Sequence, residues 1–281
     1  MRKQIAVLAS ALLLGGGVYA QNALQTQKPK AYMVSDAHLD TQWNWDIQTT
    51  IKDYVWNTIS QNLFLLKQYP EYIFNFEGGV KYAWMKEYYP AQYEEMKKFI
   101  ESGRWHISGA SWDATDTLVP SIESAIRNIM LGQNYYRKEF GVESTDIFLP
   151  DCFGFGWTLP VITSHCGLIG FSSQKLQWRN KPFYGNDKYP FTIGLWQGID
   201  GSTIMMAHGY DYNQRFEDED LSENKNLLEL TTHSPLHMVY RYYGTGDIGG
   251  SPTLESVRAV EKGLQGNGPL QIVSATSDRI Y

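Results

Sequence analysis

The sequence predicts an α/β fold: about seven strands, mostly parallel, in an irregular, barrel-like (βα) domain over residues 31–281. Three observations predict it. Short apolar runs alternate with amphipathic stretches along the chain, the pattern of a parallel sheet with helices on its faces. The amphipathic stretches carry helix start and stop residues. No repeat, low-complexity tract or linker breaks the alternation, and a chain that is 43% hydrophobic and 19% charged is globular in composition. A doubly wound sheet is the second choice, with no phosphate-loop glycine pattern after the first strand.

In order, "AYMVSDAH" reads as a strand and "VWNTISQNLFLLKQYP" as a helix ended near Pro70. "EYIFNFEGG" is a strand closing on Gly78 and Gly79, and "YPAQYEEMKKFIESGR" a helix stopped at Gly103. "WHISGASWD" is the third strand. "PSIESAIRNIMLGQNYYRKEFG" is a helix: Ser121 is its N-cap candidate, Glu123 favours the first turn, and Ile122, Ile126, Ile129 and Met130 follow the helical period. "DIFLPDCFGFG" is the fourth strand, "LPVITSHCG" a helix and "LIGFSSQKL" the fifth strand. "FTIGLWQGIDGSTIMMAHG" reads as a hairpin turning at "IDGS" or as two sheet strands. "HMVYRYYGTGD" is a strand, "TLESVRAVEKGL" a helix and "PLQIVSATS" the last strand.

Residues 1–20 read as a secretion signal. Arg2 and Lys3 start it, "IAVLASALLL" is too short to span a bilayer, and Val18 and Ala20 give a small-x-small ending. Residues 21–30 are a polar leader. The mature chain is therefore expected in the periplasm or outside the cell, with no membrane span. Losing Arg2 and Lys3 takes the formal charge from −6 to −8, which argues against nucleic acid as a partner. "EDED" at 217–220 reads as a solvated acidic loop. Cys152 and Cys166 stand at a strand end and in the next helix, where Cα separation often misses disulfide geometry, so a bridge is the lesser expectation. Nine Trp and nineteen Tyr fit a sugar site, though aromatic residues fill ordinary cores as well.

Parallel-sheet enzymes place their chemistry at the carboxyl ends of strands. His38 and Asp40, Glu77, Trp112 and Asp113, Asp151, Gln174 and Lys175, His208, Tyr210 and Asp211, and Asp247 all fall at expected strand ends. His38 and Asp40 stand two apart, so an extended backbone puts both on one face. An imidazole and a carboxylate so placed suit a divalent metal or a mutual hydrogen bond. In "LPDCFGFG", Asp151 ends an apolar run and lies too far upstream to cap the helix near Thr158, so it needs a cation, a metal or several donors. In "YGTGDIGGSPT", glycines on both sides of Asp247 open space for a bulky substrate, while an Asx turn ahead of a helix starting after Pro252 is the plainer reading.

Together, "HLDTQWNW", "LPDCFGFG" and "YGTGDIGGSPT" resemble, in that order, the motifs of glycoside hydrolase family 38, the retaining α-mannosidases. "FNFEGGVKYAWMKEYYP", "GRWHISGASWDATDTLVPSIES" and "SSQKLQWRN" also look like that family, the last like its bacterial members. The resemblance implies a Zn²⁺ site with His38, Asp40 and Asp151 as ligands. It implies Asp151 as the nucleophile and Asp247 as the general acid/base; among the other strand-end acids, Asp211, Asp113 and Glu77 are next in line, in that order. Trp43 would shape the sugar pocket. With Trp112, Lys175, Trp178 and Tyr210 it completes the candidate substrate-binding set. The partner would be a mannose-containing oligosaccharide or glycan, cleaved by metal-assisted double displacement with retention. The family's fourth zinc ligand is a His further downstream, followed by a helical bundle and β-sandwich domains. The resemblance therefore implies that residues 31–281 are the N-terminal catalytic part of a longer protein, with His208 the best-placed substitute ligand. A metal-dependent polysaccharide deacetylase and a non-catalytic glycan-binding module are the competing functions.

Overall fold

The computed structural model describes residues 28–177, 192–232 and 234–281. The expected signal peptide, residues 21–27 of the leader and Trp178 lie outside them. The described strands form two sheets. The first holds β1 (Lys30–Ala37), β2 (Phe74–Phe76), β3 (Trp105–Ile107), β8 (Met238–Thr245) and β9 (Gln271–Ser274). Its order is β3-β2-β1-β8, with β9 also on β1, and every pairing is parallel. The second holds β4 (Asp146–Phe148), β5 (Gly170–Ser173), β6 (Ile193–Gln197) and β7 (Thr203–His208), in the order β4-β5-β7-β6, with β6 antiparallel to β7.

The α/β class and the mostly parallel pairing stand, but the seven-stranded barrel is replaced by sheets of five and four strands. The stretch around "IDGS" is a hairpin of two strands, its turn closed by Gly198 N–H donating to Ser202 O at 2.8 Å. One edge of β1 is shared: Lys30 to Met33 pair with β9, and Ser35 and Asp36 pair with β2. Between the sheets run single hydrogen bonds that each involve a loop residue, rather than a strand ladder. Ala110 N–H donates to Asp146 O at 2.9 Å, and Tyr242 N–H to Gly209 O at 2.9 Å.

The helices are α1 (Trp56–Gln68), α2 (Gly79–Tyr88), α3 (Pro90–Glu101), α4 (Ile122–Phe140), α5 (Leu159–His165), α6 (Lys225–Thr232) and α7 (Leu254–Gln265). A short turn (Ile47–Thr49) capped by Asp46 and a π segment (Thr50–Val55) lead into α1. Two helices were not expected. α2 begins where a strand was expected to close, because Gly78 at φ 91° turns the chain straight from β2 into a helix. α6 buries only Leu227 and Thr231, too small a face to show in the sequence as a periodic stripe. The main core packs α1, α2, α3 and α7 against the first sheet through Ile59, Leu63, Tyr82, Met96, Trp105 and Val257.

α4 has the expected N-cap, Ser121 accepting from Ser124 N, and Gly141 closes its other end at φ 68°. Its buried face, however, is Ile129, Gly132, Gln133 and Tyr136, while Ile122, Ile126 and Met130 stay exposed. Gly132 decides this. A Cβ there would collide with the backbone of Ala110 and Ser111, so the helix docks through its narrowest point and the branched residues turn outward. Gly132→Ala should therefore push α4 off the loop after β3. We expect a loss at the upper end of the roughly 1–3 kcal/mol that overpacking costs, read as a lower unfolding midpoint in urea. Cys152 and Cys166 are both free.

Candidate active site

β1 sits between β8 on one side and β2 with β9 on the other, so its backbone is held on both edges. Beyond Ala37 the chain remains extended. Leu39 makes an antiparallel bridge with Ile248, Gly249 N–H donates to His38 O at 3.0 Å, and Asp40 N–H donates to Asp247 O at 2.8 Å. The two hydrogen bonds of this one bridge stitch the Asp247 loop to "HLD". Asp247 itself has φ 65°, a conformation that costs a non-glycine residue energy, and the stitching holds it there.

His38, Asp40 and Asp151 each present a ligand atom, and these atoms lie within 4.8 Å of one another. His38 is buried; its Nε2 lies 3.3 Å from Asp40 Oδ1 and its Nδ1 2.8 Å from Glu77 Oε1. One imidazole, two carboxylates and an outer carboxylate on the far ring nitrogen are a donor set that fits a divalent ion such as zinc. Lys175 pairs with Asp151 and sits 4.3 Å over the Phe153 ring. Of the expected sugar contacts, this one is turned onto the carboxylate.

Charge is concentrated here. Burial pulls the His38 imidazole down, but its hydrogen bonds with Asp40 and Glu77 win and hold it at about 10. Burial pushes the Glu77 carboxyl up, and the Lys81 ammonium with the His38 hydrogen bond brings it to about 2. Lys81 is fully buried; burial lowers it, and Glu77 and Asp113 outweigh that, leaving it raised. Asp36, wholly buried two residues before His38, is pushed well up by burial and by Glu77.

Tyr212 was not anticipated. Its hydroxyl donates to Asp247 Oδ1 at 2.8 Å, and its ring meets His38 edge-on at 5.8 Å. Burial and the bond to Asp247 push its hydroxyl well up, so it stays a donor. The glycine expected to leave room for substrate leaves room for this ring instead: a Cβ on Gly246 would fall onto Tyr212. Lys81 was also missed. It stands four residues after Glu77, a spacing that on a helix usually means a surface ion pair.

The other expected residues disperse. Trp43 is 61% exposed and edge-on to Trp45 at 5.9 Å. Trp112 packs on Gly79 and edge-on to Tyr135 at 5.5 Å, between helices. Tyr210 lies 4.9 Å from the His208 ring and 4.8 Å beneath the Arg241 guanidinium. Of the alternative acids, Asp113 accepts from Thr41 Oγ1 at 2.6 Å, Asp211 is exposed and accepts from Asn213 N, and Glu77 holds His38.

His208 is not in the ligand group that His38 forms among the described residues. Burial and then Arg241 lower its imidazole to about 4, opposed by a bond with the Ser173 backbone. A histidine lowered on folding takes up its proton more readily unfolded. Stability should therefore fall as pH drops from about 6.5 to about 4, by on the order of 3 kcal/mol in all. His208→Gln should flatten that acid limb in denaturant melts recorded at stepped pH.

A model of the glycosyl hydrolases family 38 N-terminal domain matches residues 28–279. Alpha-mannosidase G of Dictyostelium discoideum is 32% identical over 244 residues, 85% of this chain and 21% of that protein. The alpha-mannosidase of Saccharomyces cerevisiae is 30% identical over 275 residues, 94% of this chain and 24% of that one. The chain therefore spans roughly a fifth to a quarter of the length of these relatives. The crystal structure of an alpha-mannosidase from Enterococcus faecalis superposes with a TM-score of 0.67 at 18% identity, covering 89% of this chain and 28% of that one, a likeness of fold.

Proposed function

The chain belongs to glycosyl hydrolase family 38, and on that premise we propose that it is the catalytic N-terminal part of a retaining α-mannosidase acting on mannose-containing glycans. The observation that carries this reading is the meeting of His38, Asp40 and Asp151 beside a loop that backbone hydrogen bonds fasten to Asp40 and that carries Asp247.

His38, Asp40 and Asp151 would hold a divalent ion, with zinc the best fit. When bound, it would supply a Lewis acid that templates the sugar's hydroxyls. Asp151 is the nucleophile: one carboxylate oxygen attacks the anomeric carbon and the glycosidic bond breaks, leaving a covalent glycosyl ester. Lys175 balances the Asp151 charge before attack. Asp247 gives its proton to the departing oxygen and later takes one from water. Tyr212 occupies Asp247 Oδ1, which leaves Oδ2 to carry the travelling proton. Trp43, exposed three residues after Asp40, is the proposed face for the sugar ring, and Trp112, Trp178 and Tyr210 belong to the wider sugar-binding proposal.

The basic start and apolar run of residues 1–20 support export. No described helix is long and apolar enough to cross a membrane.

A mannosyl-type fluorosugar inactivator tests the mechanism. Its glycosyl mass should appear on the peptide holding Asp151. Turnover of an aryl α-mannoside with no labelled Asp151 overturns the assignment, and release of acetate from an acetylated glycan favours the deacetylase instead.

A further inference from the structure

His38 reaches the site with one ring nitrogen already committed. Its Nδ1 lies 2.8 Å from Glu77 Oε1, and Lys81 Nζ lies 3.3 Å from the same oxygen. All three side chains are buried. A carboxylate beside an ammonium offers lone pairs and no proton, so the imidazole must be the donor at Nδ1. Nε2 is then the nitrogen that faces Asp40, 3.3 Å from its Oδ1.

Lys81 has a second arm. Its Nζ is 3.7 Å from Asp113 Oδ1, and Asp113 Oδ2 accepts from Thr41 Oγ1 at 2.6 Å. A single buried ammonium is thus tied through two carboxylates to His38 and Thr41, on either side of Asp40. The helix that carries it starts immediately after β2, so the Gly78 turn that brings Lys81 four residues after Glu77 also aims it back at the end of β1.

We propose that Glu77 and Lys81 are positioning residues: Lys81 holds Glu77, and Glu77 holds His38 with its proton on Nδ1 and its Nε2 turned toward Asp40 and Asp151. The inference rests on the metal-site reading and adds to it the two residues that prepare the histidine. A carboxylate behind a ligating histidine fixes its tautomer and raises its basicity, and losing it commonly weakens metal affinity about ten- to a hundredfold. The competing explanation is charge balance alone, with Glu77 present only to neutralise a buried lysine.

A double variant separates the two. The full chain, as wild type, Glu77→Gln and Glu77→Gln/Lys81→Met, would be titrated with Zn²⁺ against a chromophoric chelator, with thermal melting as the control for folding. Glu77→Gln should weaken binding about ten- to a hundredfold. The double variant leaves no lone buried charge, yet should keep that deficit. In the zinc-loaded wild type, long-range ¹H–¹⁵N spectra should place the remaining His38 proton on Nδ1, a readout that needs no variant to fold. Wild-type zinc affinity in the double variant, or a proton on Nε2, overturns the inference while the metal site survives. A wild-type chain that takes up no Zn²⁺ overturns the metal reading, and this inference falls with it.

Discussion

Asp151→Asn is expected to lose metal binding and turnover together. The substitution keeps the shape of the side chain and removes its charge, so a structural role alone would survive it. Asp151 is one of three groups whose ligand atoms gather within 4.8 Å, and it is the one proposed to attack the sugar. An amide is a weak ligand and a poor nucleophile, so both functions fail at one position. Turnover of an aryl α-mannoside should drop on the order of 10⁴-fold or more, the scale seen when a nucleophile is removed. Zn²⁺ uptake, measured by chelator competition, should fall in parallel. The Lys175 ammonium, left without its carboxylate, adds a repulsive charge beside the ion and deepens that loss. An Asp151→Asn protein that keeps wild-type metal affinity would remove it from the ligand set. One that keeps turnover would remove it from the chemistry.

Asp247→Asn should instead keep the metal and fail selectively. Mannosides with poor leaving groups depend on protonation, and their turnover should fall by about 10²–10⁴-fold. An activated aryl α-mannoside needs little acid help, so it should still glycosylate Asp151. The second step then lacks its base, and the adduct should accumulate to a level visible by intact-mass analysis. Azide, a nucleophile that needs no base, should restore release. Because each of the two displacements inverts the anomeric carbon, the product should be the α-mannosyl azide. Tyr212 makes the experiment more informative. Its hydroxyl can still donate to the amide oxygen at position 247, so the loop should stay in place and the defect should be chemical. No adduct and no azide effect would move the role to another acid. Asp211 would then be the first to test, because Glu77 is engaged with His38 and Lys81, and Asp113 with Thr41 and Lys81.

The residues of the candidate metal site were legible in the sequence because their signals are local. His38 and Asp40 share a face through strand alternation alone, and Asp151 stands out as an acid ending an apolar run among glycines. Tyr212 was not legible. It bonds to Asp247, 35 residues away, and the space it occupies is marked only by Gly246, which reads equally well as room for substrate. Trp112 shows the converse: a Trp at a strand end looks like a sugar platform, and the sequence carries no sign that α2 and α4 also pack against it.

By itself the sequence determined the alternation of strands and helices, the N-cap of α4 and the turn at "IDGS", and it marked the three residues of the candidate metal site. Each is written within a few residues, through side-chain periodicity, φ preference or capping chemistry. Tertiary structure decided that the strands divide into two sheets, that α4 docks through Gly132, that His208 stays out of the ligand group, and that Lys81 is buried as a brace. These outcomes depend on which backbones come close enough to exclude a Cβ or to share a buried charge. That is set by the pairing of segments far apart in the chain, such as β1 with β8, and a local pattern carries no record of it.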